Sequence, residues 1–144
     1  MYFNGDLKKI SWVIHTEGQE LVQSRAHVEK YKDKITKTQS KYVALHIALF
    51  WGIGTFNIKN EDYVKIKLDE EVMFDQLNSK TKINDEFIEN KIKFIQSLIK
   101  QRKLRVDFEK ITNENNFNFL YQAILLLLNL RHVCTKLQKP YHKM

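Results

Sequence analysis

Hydrophobic and polar positions change period several times along the chain. Tyr2 and Phe3 precede an Asn4-Gly5-Asp6 turn signal, after which Ile10, Trp12 and Ile14 alternate with Ser11 and Val13. A period of two marks a strand whose faces meet different surroundings. Glu17-Gly18-Gln19 is a second turn and Leu21–Val28 a third short strand, so the opening predicts an antiparallel meander. Glu29–Lys37 is a polar, lysine-rich connection. Ser40 is placed to cap a helix in which Tyr42–Trp51 is apolar on nearly every face and which Gly52 and Gly54 end. A helix of that kind belongs inside a fold or at an interface.

Tyr63, Val64, Ile66 and Leu68 give a fourth strand, and Asp69 is placed to cap a short helix over Glu70–Asn78. Asn84 or Asp85 caps a longer helix in which Ile88, Ile92, Ile95 and Ile99 fall at helical spacing. Leu104, Val106 and Phe108 alternate as a fifth strand, and a last helix runs from about Glu114 to Lys136. The order βββαβααβα predicts one α/β domain over residues 1–138 with a basic tail at 139–144. Its core is a mixed five-stranded sheet, three antiparallel strands first, flanked by helices.

At 144 residues the chain has the size of one domain, and 43% hydrophobic with 12% aromatic content argues for a folded globule. The single cysteine, Cys134, rules out an internal disulfide framework and fits a reducing compartment. The start, MYFNGDLKK, lacks a signal-peptide pattern, and the apolar runs Tyr42–Gly54 and Phe119–Leu128 are too short and interrupted to span a bilayer. The expectation is a soluble cytoplasmic protein. Lys and Arg number 24 against 17 Asp and Glu, a net charge of +7. That balance favours a polyanionic partner, although the excess is almost all lysine, which compositional drift would also produce.

Four segments, in order, resemble the blocks of the ribonuclease H family. Tyr2-Phe3-Asn4-Gly5 looks like the strand-one Y-x-D-G, with Asn4 at the first catalytic aspartate. Ser40–Gly52 is similar to T-N-N-x-A-E-Y-x-A-L-x-x-G: Ala44, Ala48, Leu49 and Gly52 agree, and Leu45 stands at the catalytic glutamate. Val64–Asp69, followed by Val72 and Gln76-Leu77-Asn78, resembles V-x-I-x-x-D-S-x-x-V-x-x-Q-L-N and places Asp69 on a catalytic aspartate. Phe108–Asn116 resembles the W-V/I-P-R-E-x-N segment, with Leu120 where the last aspartate is expected.

The resemblance reaches to about Leu130 and implies a ribonuclease H-like fold. The activity it implies is two-metal hydrolysis of the RNA strand of an RNA–DNA hybrid. Two hard dications need several convergent carboxylates, and the four positions here are Asn4, Leu45, Asp69 and Leu120. No catalytic set is intact, so no cofactor is expected. In the implied fold Leu45 and Leu120 face each other and close the cleft over the ion positions. Asp69 has a simpler role open to it, stabilising free N–H groups at a helix start. The weak metal candidates are Asp69 and Asp6, which with a nearby acid such as Glu70 or Asp75 would hold Mg²⁺ or Mn²⁺ only in a rearranged site.

His46 reads as a core or interface histidine, and His132 and His142 have no partner at zinc-ligand spacing. Cys134 reads as a small hydrophobe. Basic residues gather at Lys80–Lys82, Lys91–Lys103 and Arg131–Lys143. Lys91, Lys93, Lys100, Arg102 and Lys103 lie where the family carries a hybrid-binding basic segment, although a solvated helix face would look the same. The last helix, from Phe119 to Leu130, has more apolar surface than one side of a sheet covers, which points to a homodimer. The expectation is a catalytically inactive, ribonuclease H-like pseudoenzyme that binds duplex or hybrid nucleic acid. A structural or partner-docking module is the alternative, and a weak metal-dependent ribonuclease a further one.

Overall fold

The structure, a computed structural model, describes residues 1–137; the tail 139–144 and His142 lie outside them. Strands β1 (Tyr2–Gly5), β2 (Lys9–Thr16) and β3 (Gln19–Ala26) form an antiparallel ladder in that order. Its register sets Tyr2 opposite Val13 and Trp12 opposite Gln23. The first turn is held by Asp6, whose Oδ1 accepts from the backbone N–H groups of Lys8 and Lys9 at 2.8 Å each. In the second turn Gly18 sits at φ +73°, a conformation that glycine adopts without strain. The third strand starts directly at that turn, two residues earlier than the apolar pattern predicts.

Helix α1 (Lys37–Gly54) is capped by Thr36, four residues before the expected cap. Thr36 Oγ1 accepts from Gln39 N at 3.1 Å, and Gln39 Oε1 accepts from Thr36 N at 2.9 Å. This reciprocal capping box fixes the start, and Ser40 is freed for another contact. Its hydroxyl donates to the Asp6 carbonyl at 2.7 Å, beside the buried His27 ring. Gly5 permits the approach, because a Cβ there would lie 2.7 Å from the Ser40 carbonyl.

Strand β4 (Tyr63–Leu68), helices α2 (Glu71–Leu77) and α3 (Glu86–Gln101), and strand β5 (Arg105–Lys110) form a crossover unit. It leaves β4 and β5 parallel, with Ile66 opposite Phe108. Asp85 caps α3 through Ile88 N, and Ile88, Ile92 and Ile95 are buried, as their spacing predicts. Helix α4 (Asn113–Leu137) ends the described chain. Instead of one continuous five-stranded sheet there are two ladders, β1-β2-β3 and β4-β5. They meet at one rung: Met1 N donates to Lys65 O at 2.7 Å and Lys67 N to Met1 O at 2.9 Å. Beyond that rung the C-terminal ends of β1 and β4 form no further ladder, and this is where the candidate site sits.

Alternation along β2 divides the interior. Trp12 and Ile14 face the main core with Phe3, Tyr42, Leu45, Leu49, Ile66, Leu68 and Ile95. Val13 faces a smaller cluster with Leu120 and Ala123, edged by Tyr2, Val22 and Phe119. The expected contact between Leu45 and Leu120 is therefore corrected. The hairpin ladder lies between them, because α1 packs on one face of β1 and β2 and α4 on the other. No helix among the described residues is long and apolar enough to cross a membrane.

Candidate functional site

Three elements converge at the splayed ends of β1 and β4: the residue after β4, the first turn of α4, and the second turn of α1. Asp69 receives the Lys41 ammonium on Oδ1 at 3.0 Å, and the same ammonium lies 2.9 Å from Glu70 Oε1. The Lys41 and Asp69 side chains are 4% and 5% exposed. Asp69 Oδ2 accepts from Asn116 Nδ2 at 2.8 Å, and that nitrogen also donates to Phe3 O at 2.9 Å. Both partners can only accept, so the amide orientation is fixed. The Asn116 Oδ1 is left buried without a hydrogen-bond partner. Glu70 Oε2 accepts from Thr38 Oγ1 at 3.0 Å. Nearby, burial and then the Glu70 charge push the Tyr42 hydroxyl well above its ordinary pKa; it donates to Gln76 Oε1 at 2.7 Å.

These contacts correct the capping role expected of Asp69. The residue at the start of α2 is Glu70, and it makes no side-chain capping bond. A buried ammonium that needs both neighbouring carboxylates outweighs a free N–H group at a helix start. Asn4 lies at the edge of this group, its Oδ1 accepting from Gly5 N at 2.9 Å. Leu45 and Leu120 are each one helical turn beyond the residue that reaches the site, Leu45 past Lys41 and Leu120 past Asn116. The sequence carried a signal for both. Lys41 opens an apolar run and has to find an acid if that run is buried, and Asn116 precedes an equally apolar run.

The fold resemblance implies divalent metal ions, and the residues present do not fit them. Both Asp69 oxygens are engaged, Glu70 shares a fixed cation, and Asn116 turns its N–H₂ toward the carboxylate. Asp6 spends its Oδ1 on the β1–β2 turn and its side chain is exposed. Among the described residues, no group of three or more His, Cys, Asp and Glu side chains could hold a metal ion.

The five basic residues on and after α3 separate into two groups. Lys91 turns inward: its Nζ lies 3.3 Å from His46 Nδ1 and 5.9 and 5.7 Å from the Tyr31 and Phe87 ring centres. Burial, then the Lys30 charge, lowers its pKa. His46 stacks on Phe94 at 5.4 Å, and burial, then Lys91, lowers the imidazole pKa. Lys93 is exposed and paired with Glu89 at 3.4 Å, while Lys100, Arg102 and Lys103 are exposed at the end of α3. On the α4 side a cleft of about 290 Å³ opens between Asn4, Asp6, Ser11, Phe117, Leu120 and Tyr121. Phe117 and Tyr121 stack there with ring centres 5.7 Å apart.

No protein-family model matches the sequence, and no curated protein matches it. Solved structures do match its shape. The chain is similar to RNase H1 from the halophilic archaeon Halobacterium salinarum NRC-1, with TM-score 0.61 and 18% identity over 80% of this chain and 86% of that one. It is similar to the N-terminal RNase H domain of Rv2228c from Mycobacterium tuberculosis, with TM-score 0.60 and 14% identity over 75% and 77%. It is also similar to LC11-RNase H1 in complex with an RNA/DNA hybrid, with TM-score 0.60 and 21% identity over 75% and 76%. With three antiparallel strands, a parallel pair and helices on both faces, the chain has a ribonuclease H-like fold.

Proposed function

We propose that this protein binds duplex or hybrid nucleic acid without hydrolysing it. The observation that carries the non-hydrolytic part is the Lys41 ammonium between Asp69 and Glu70, where a two-metal hydrolase needs free carboxylate oxygens. The binding part is supported by the net charge of +7 and by a similar fold that is in complex with an RNA/DNA hybrid. Lys93, Lys100, Arg102 and Lys103 are the side chains assigned to phosphates. Lys91 leaves that set because packing against His46, Tyr31 and Phe87 occupies it.

Fluorescence anisotropy with a labelled RNA–DNA hybrid tests the reading. Binding at low salt is expected to weaken steeply as salt rises, since each phosphate contact adds about 0.9 to the log–log slope on a B-form duplex. A Lys100→Glu/Arg102→Glu/Lys103→Glu variant is expected to bind at least tenfold more weakly. Absence of salt-sensitive binding would remove the nucleic-acid reading. Incubation of the same hybrid with Mg²⁺ or Mn²⁺ is expected to leave it intact, and cleavage abolished by Asp69→Asn would favour the weak-ribonuclease alternative.

One observation favours a second reading, self-association. Phe117, Tyr121, Leu125 and Leu128 are exposed along one side of α4 at helical spacing. Sedimentation at tens of micromolar decides between a dimer and a monomer.

A further inference from the structure

We propose that the cleft between α4 and the β1–β2 ladder is a binding site for one unpaired nucleobase, stacked on Phe117 and Tyr121 with its phosphate toward Lys9. The inference goes beyond the duplex reading above, because paired bases do not enter a recess of this size.

The cleft holds about 290 Å³, at the small end of the roughly 300–1,000 Å³ usual for small-molecule sites. Phe117 and Tyr121, four residues apart on α4, form its aromatic wall. Their rings lie within 11° of parallel with centres 5.7 Å apart, and the two residues are 59% and 52% exposed. A parallel pair open at the edge of a cleft accepts a further flat ring, and such stacking tolerates any base. Leu120 and Ile124 add apolar lining beside the rings.

Asn4, Asp6 and Ser11 bring polar groups to the same cleft. Asn4 uses its Oδ1 on Gly5 N, and Asp6 uses its Oδ1 on the β1–β2 turn. Among the described residues this leaves Asn4 Nδ2 and the Ser11 hydroxyl to donate and Asp6 Oδ2 to accept. The edge of a base presents the complementary mixture of acceptors and donors. Lys9 also lines the cleft, and none of the ion pairs among the described residues includes it. Its ammonium is available to a phosphate. The apolar helix of a second copy would cover the rings but strand these polar groups without partners, a cost that a base edge avoids.

The base can belong to a free nucleotide or to a single strand, and the test separates the two. Two fluorescent probes are titrated with the full chain: 2-aminopurine ribonucleoside monophosphate, and a single-stranded tetranucleotide carrying one 2-aminopurine. Stacking quenches this base, so a saturable quench at one probe per chain is expected, reversed by adenosine monophosphate. Tighter binding of the strand by tenfold or more assigns the site to single-stranded nucleic acid, and equal binding to the free nucleotide. Tyr121→Leu keeps apolar surface but removes a ring, and is expected to weaken binding roughly tenfold. Lys9→Gln is expected to weaken the monophosphate to the level of the unphosphorylated nucleoside. Absence of a saturable quench with both probes overturns the proposal, as does a quench unchanged in Phe117→Leu/Tyr121→Leu. A wild type that sediments as a dimer and quenches neither probe assigns the cleft to a second copy, which also overturns it. Anisotropy with the blunt hybrid reads duplex binding separately, so the two proposals can fail independently.

Discussion

The face of the hairpin ladder beneath α1 and the face beneath α4 are covered to different depths. Under α1, Trp12, Tyr42, Leu45 and Leu49 have no exposure, and α3 seals the layer from behind. Under α4, among the described residues, Leu120 and Ala123 are the buried side chains that meet Val13, with Phe119 packed at the edge, while Phe117, Tyr121, Leu126 and Leu128 are each more than half exposed. The first face is a core completed by the chain itself. The second carries apolar surface whose burial would favour association, at roughly 25 cal/mol per Å² removed from water. Stability is therefore concentrated on one side of the sheet, and surface free to meet a partner on the other.

The sharpest way to probe this contrast is Lys41→Met, on the α1 side. Leaving two carboxylates without their cation is expected to cost about 3–5 kcal/mol, read as a lower urea midpoint in metal-free buffer. Leu45→Ala, in the dense core, is expected to cost about 3–4 kcal/mol in the same assay, because its neighbours cannot collapse into the space. Leu120→Ala is expected to cost about 2 kcal/mol, since the α4 face is open enough to relax. Equal losses for the two leucines would break the asymmetry.

A smaller effect comes from His46. Its folded pKa is lowered, first by burial and then by Lys91, below an ordinary value of about 6.5. Between those two values the unfolded chain binds more protons, so stability falls as pH drops through that window and levels off below the folded value. Melting temperatures from neutral to acidic pH are expected to show this loss, and His46→Phe to flatten it. Least of all, Tyr121→Ser is expected to change monomer stability by no more than about 0.5 kcal/mol. A loss that grows with protein concentration would show that α4 is an interface.

The hairpins, the crossover strands and the Asp85-capped helix were legible because turn residues and hydrophobic period agree there. The site was legible to within one turn of helix. Residues four apart share a helix face, so Leu45 and Lys41 fit the same stripe, as do Leu120 and Asn116. For the first pair, the distance α1 advances along β1 decides which member reaches Asp69. That advance depends on the Thr36–Gln39 capping box and on the Gly5–Ser40 contact, the second of which joins residues far apart in the chain. A motif comparison anchored on alanines and glycines carries no measure of it.

Gly5 brings out what this dependence means. Having only hydrogen where other residues carry carbon, it sets the height at which a helix far downstream comes to rest. Lys41 is the next residue along that helix from the point of rest. A single methyl group grafted onto the strand would thus be felt as a change of charge at the opposite end of the contact, turning a question of bulk into one of ionic balance.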